Sequence, residues 1–217
     1  MDRSQPARDA RLWLEFAAFY VLAPVALYLF LPFVNLYAAI AGVTLIGLAL
    51  LHGTPGFAWR ELWDGRSLRG TGPLLLWTGA LTAMVLTAAT LLLVPHRLLW
   101  MPREQPGLWL AILALYPWFS VLGQEVIFRP LFFRRYGHLF ASDGMRILVN
   151  AAVFAAAHIF FRNAVAPVMT FAGGLLFAWA YQRTRSFPLV FLMHWIAGGL
   201  VFTLGLGRFF YHGAIPQ

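Results

Sequence analysis

Cysteine and lysine are both absent from this chain of 217 residues. The first absence excludes disulfides, thiol nucleophiles and thiolate metal sites, so any chemistry must come from Glu, His, Ser or a metal held by nitrogen and oxygen. Charge is scarce as well: charged residues make up 11% of the chain against 61% apolar, and mean hydropathy is +0.72. A soluble core cannot hide so much apolar surface, so the composition predicts an integral membrane protein with room for one helical domain and little else. The formal net charge of +8 comes wholly from sixteen Arg. In a membrane protein such basicity sets orientation, and nucleic acid is excluded as a partner. The opening MDRSQPARDAR precedes an apolar run, but no small-residue cleavage site follows before the second run, so the segment reads as a retained first span.

Lipid offers no partner to an open backbone, and the apolar runs are too long for barrel strands. The fold class is therefore all-α, a polytopic membrane bundle of about seven transmembrane helices with a cytoplasmic N-terminus. Spans are expected at 12–31, 33–51, 73–94, 107–133, 146–162, 164–181 and 187–206, with Pro32, Pro73, Pro95, Pro106 and Pro188 at their ends. Residues 1–104 would supply N-terminal helices and an interfacial loop, and 105–217 the core that carries the chemistry, within one structural domain. With the N-terminus inside, eleven Arg fall on the cytoplasmic side (3, 8, 11, 60, 66, 69, 134, 135, 146, 183 and 185) and four on the other (97, 103, 162 and 208). That asymmetry supports both the count and the orientation, in a bacterial-type inner membrane. The long loop with Trp59 and Trp63 reads equally as an interfacial segment or a solvated connector.

Against this apolar background three ionisable residues stand deep in their spans: Glu125, His158 and His194. Glu125 lies nine residues before Arg134 and His194 nine after Arg185, which puts both roughly 14 Å from the inner edge. His158, twelve residues beyond Arg146, is at about 18 Å by the same rise. Matched depth on separate helices lets the three share a cavity, and buried ionisable groups in lipid pair or line functional sites. Arg129, four residues after Glu125, shares its helix face and suits a charge pair, whose plainer reading is structural. Gln124 points about 100° away from Glu125. A lone buried His is more often a packing residue, but two beside a carboxylate favour a site.

These residues carry a resemblance. The segment Gln124, Glu125, Val126, Ile127, Phe128, Arg129 resembles the Glu-Glu-x-x-x-Arg motif of the CAAX protease and bacteriocin-processing family, the type II CAAX prenyl endopeptidases. Phe154 to His158 resembles its Phe-x-x-x-His motif, and His194 opens the third, His-x-x-x-Asn or Asp; the ordered set covers about 105 to 206. The resemblance implies an intramembrane endopeptidase acting on a lipidated protein or membrane peptide. In it the first Glu and the second-motif His activate water, while the third-motif His and its Asn stabilise the oxyanion. Here Gln124 stands at the first Glu position and Gly198 at the Asn or Asp position. An amide cannot take a proton from water, and glycine has no side-chain donor. A missing base costs about 10² to 10⁴ in rate and a missing oxyanion donor about 10² to 10³.

Other chemistries stay open at this point. Glu125, His158 and His194 are the right types for a three-ligand zinc site, although no HExxH helix is present. A catalytically silent scaffold would bind a membrane peptide in the same cavity. His158 and His194 are also the pair that a haem b carrier would use as axial ligands. A rhomboid-like serine protease is disfavoured, since no Gly-x-Ser-x-Gly motif occurs.

Overall fold

The computed structural model describes residues 4–210, and every regular element among them is helical. The helices are α1 (Ser4–Ala17), α2 (Ala23–Phe30), α3 (Leu36–His52), α4 (Gly72–Leu93), α5 (Trp100–Glu104), α6 (Pro106–Tyr116), α7 (Leu122–Val126), α8 (Asp143–Ala156), α9 (Val165–Thr184) and α10 (Phe187–Leu204). Several join end to end. Among the described residues six continuous helices are long and apolar enough to cross a membrane, and Ala38–His52 is a shorter apolar one. The surface is the reverse of a soluble protein's. Leu92 is 83% exposed and Phe119 80%, while Glu125, Arg129 and Asn150 are each at 0%. Such a surface is stable against hydrocarbon and not against water.

Expected boundaries move by a few residues, two of them for a visible reason. The second span begins at Leu36, because Asn35 caps it by accepting from the Ala38 amide. The fourth runs from Pro106 to Leu139, past the expected end at 133, because it continues as a π-helix over Ile127–Tyr136. The π turns share a cause. Pro24 follows the turn at Ala18–Leu22, Pro117 opens the one at Pro117–Val121, and Pro130 lies inside Ile127–Tyr136. A proline has no N–H for the preceding turn and its ring crowds the carbonyl there, so the ladder re-registers with an extra residue.

The chain gathers into two compact units, one made of the chain up to Trp59 with Val126–Arg183, the other of Arg60–Glu125 with the chain from Thr184 onward. In the first, the Tyr20 hydroxyl donates to the Ile127 carbonyl at 2.6 Å. Rings of Phe16, Tyr20, Phe132 and Tyr136 meet largely edge to face around it. Glu15 accepts from both Arg135 and Tyr136. Gly174 brings α9 onto α8: a Cβ there would stand 3.0 Å from the Ala151 Cα.

In the second unit α10 packs on α4 and α6. Ser186 caps α10 by accepting from the Leu189 amide. Two indoles tie α10 to α6, Trp195 Nε1 donating to the Leu113 carbonyl at 3.0 Å and Trp109 Nε1 to Thr203 Oγ1 at 2.9 Å. Gly199 permits the approach, since a Cβ there would already be 3.1 Å from Leu113 Cδ2.

Candidate active site

The tie between α6 and α10 sets the positions of three polar side chains. Glu125 is at 0% exposure on α7, and one carboxylate oxygen lies 2.8 Å from Nδ1 of His194, itself 6% exposed on α10. The other ring nitrogen, Nε2, lies 3.1 Å from the hydroxyl of Tyr116, the half-buried last residue of α6. The result is a continuous hydrogen-bonded chain, carboxylate to imidazole to phenol. A carboxylate only accepts, so Nδ1 carries the proton it receives, and Nε2 is left to face the phenol.

Tyr116 was not singled out from the sequence, and the reason is geometric. It lies nine residues before Glu125, which in a regular α-helix means about 180° around the axis. The π turn at Pro117–Val121 stands between them and absorbs one residue, so the effective separation falls to about 80°. The signal available in the sequence was Pro117 directly after Tyr116.

Gly198, one turn beyond His194 on α10, is buried against the same phenol. A Cβ at this position would stand 2.6 Å from Tyr116 Cζ, inside any real contact distance. Gln124 donates through Nε2 to Ser120 Oγ at 2.8 Å. Its buried Oε1 has no hydrogen-bond partner among the described residues, which leaves an acceptor.

The remaining site residues belong to the first unit. His158, 8% exposed, lies just beyond α8, where its Nδ1 is 2.7 Å from the Phe154 carbonyl and its ring meets that of Phe154 edge to face. A carbonyl oxygen has no proton to give, so Nδ1 is the donor, and in the neutral tautomer Nε2 is then an acceptor. Arg129, fully buried, donates to Asn150 Oδ1 and lies over the rings of Phe154 and Phe177 at 5.2 and 5.8 Å. Asn150 in turn donates to the Phe128 carbonyl at 2.6 Å. Asn150 was also missed from the sequence; its signal was a lone amide in the apolar run of α8.

The bis-histidine alternative does not fit these residues. A bis-imidazole haem needs a ring nitrogen from each histidine, yet both nitrogens of His194 are engaged, by Glu125 and Tyr116. Among the described residues no group of three His, Asp or Glu side chains is disposed to hold a metal ion.

Residues 106–200 match the family model of Rce1-like proteins, type II CAAX prenyl endopeptidase Rce1-like. Over this stretch the chain is similar to the Rce1-like family. No curated protein and no solved structure matches it. The Rce1-like stretch holds every site residue named above, from Tyr116 to Gly198. Together with the six apolar helices of membrane-crossing length among the described residues, this match supports an integral, multi-pass membrane protein.

Proposed function

We propose that the protein is an intramembrane endopeptidase that hydrolyses a peptide bond of a membrane peptide or lipidated protein by water activated on its Glu and His residues. The observation that carries this reading is the chain from Glu125 through His194 to Tyr116 inside an apolar bundle. Such a preorganised polar line is expensive to bury and supplies fixed charge where a reaction develops it.

In this reading His158, its Nδ1 tied to the Phe154 carbonyl, joins the pair and takes the water proton on Nε2. The hydroxide oxygen adds to the scissile carbonyl as the C=O π electrons move onto oxygen. Collapse of the tetrahedral adduct expels the amine, which recovers the proton from His158, so one water is consumed and two peptide ends are released. Gln124 Oε1 accepts a hydrogen bond from the water and leaves proton removal to His158. Glu125 is the fixed negative charge that orients His194, and Arg129, four residues along the sequence, is its counter-charge. The protein sits in a bacterial-type inner membrane with its N-terminus inside, in line with the Arg distribution.

Gln124 at the first Glu position specifically favours a second reading, a scaffold that binds a membrane peptide without cutting it. Reconstituted protein incubated with a library of membrane and lipidated peptides separates the two. Cleavage by the parent and a loss of about 10² to 10⁴ in His158→Ala is the expected result. Peptide binding without any cleaved product would establish the scaffold.

A further inference from the structure

We infer that the Tyr116 hydroxyl is the hydrogen-bond donor to the oxyanion, seated there by the absence of a side chain at Gly198. The inference rests on the endopeptidase reading above and assigns a residue to it. Both ring nitrogens of His194 are taken, Nδ1 by Glu125 and Nε2 by Tyr116. A hydrogen bond from this chain to a substrate therefore leaves through the phenol.

The direction of the bonds follows from valence. An imidazolium facing the Glu125 carboxylate donates from both nitrogens, so the phenol oxygen accepts from Nε2 and its own proton is turned away from His194, free to meet a developing negative oxygen. When His194 is neutral, the phenol proton is spent on Nε2 instead. In the first arrangement the three residues act as one polarised line whose outer end is an O–H donor.

Gly198 is the second observation. A Cβ there would stand 2.5 Å from the Tyr116 hydroxyl oxygen and 2.6 Å from Cζ, so the phenol occupies the space in which any side chain at 198 would begin. The two positions are alternatives: either residue 198 carries a side chain or Tyr116 reaches His194. Phe202, one turn further on α10, holds the other side of the ring at 5.9 Å between centroids. The π turn after Tyr116 rotates it toward this face.

Steady-state cleavage of one peptide that the parent cuts, measured in proteoliposomes, tests the assignment. Tyr116→Phe keeps the ring and removes the donor. It should lower kcat by about 10² to 10³ with KM within about threefold, and weaken binding of a phosphinate peptide by a similar factor while leaving the uncut peptide's affinity unchanged. The exchange variant Tyr116→Ala with Gly198→Asn, which puts an amide donor into the vacated space, should regain at least about tenfold in kcat over Tyr116→Ala alone. A kcat for Tyr116→Phe within threefold of the parent overturns the inference and leaves the endopeptidase reading intact. A parent that cuts no peptide overturns the endopeptidase reading and this inference with it.

Discussion

Replacing Asn150 by leucine asks how the first unit holds a fully buried guanidinium. The side chain is at 0% exposure, accepts from Arg129 and donates to the Phe128 carbonyl at 2.6 Å. Leucine keeps nearly the same shape and removes both bonds. The bond from Arg129 is charge-assisted and worth about 1.5 to 3 kcal/mol. The neutral amide bond is worth about 1, and less if the unfolded helices find other partners within the bilayer. Their sum, about 2 to 4 kcal/mol, should lower the melting temperature in detergent by roughly 5 to 15 °C for a chain of this size. Combining the change with Arg129→Met isolates the larger part. In that background Asn150→Leu should cost only about 1 kcal/mol, because the charge-assisted bond is already gone. Equal melting shifts for Asn150→Leu in the two backgrounds would refute the view that Asn150 is there to hold Arg129.

Gly174→Val places a branched side chain where a Cβ alone is 3.0 Å from the Ala151 backbone; the overpacking, about 1 to 3 kcal/mol, should outweigh the few tenths of a kcal/mol gained in helix propensity, seen as lower thermal stability. Gln124→Glu should change peptide turnover by less than about tenfold, since His158 already serves as base; a rise toward 10⁴ would move that role to position 124. Asp64 is held below the usual carboxylate range mainly by the hydrogen bond from the Arg66 side chain. Its contribution to loop order is therefore present above the ordinary aspartate range and is lost as pH falls through the lowered value. Arg66→Gln should return the Asp64 titration, followed by NMR, toward that of an ordinary aspartate.

Legibility of this fold in the sequence followed the physics of each feature. Apolar runs interrupted by proline set the spans, because a helix in lipid has no alternative to closing its own hydrogen bonds. Depth counted from Arg134 and Arg185 brought Glu125 and His194 level, and they meet at 2.8 Å. What escaped depended on local departures from the α ladder. A period of 3.6 turns Tyr116 away from Glu125, and only the π turn opened by Pro117 brings it round. The roles of Asn35 and Asn150 escaped for another reason. A cap and a buried clamp are defined by which amide or carbonyl they reach, and the sequence names the side chain without naming its target. The continuation of the fourth span beyond Arg134 escaped because two arginines read as a membrane edge, whereas Arg135 is bound to Glu15. His158 and Arg129 lie in the other compact unit from Glu125 and His194, and their part in the chemistry belongs to the proposal.

The central claim is that the negative charge of Glu125, passed through His194, makes this bundle a hydrolase. The turnover number of Glu125→Gln on a peptide cut by the parent tests it most directly, because glutamine keeps the size and an oxygen that can accept from Nδ1 while removing the charge. The account predicts a fall in kcat of about 10² to 10⁴ in a protein that remains folded. Turnover within threefold of the parent would contradict it.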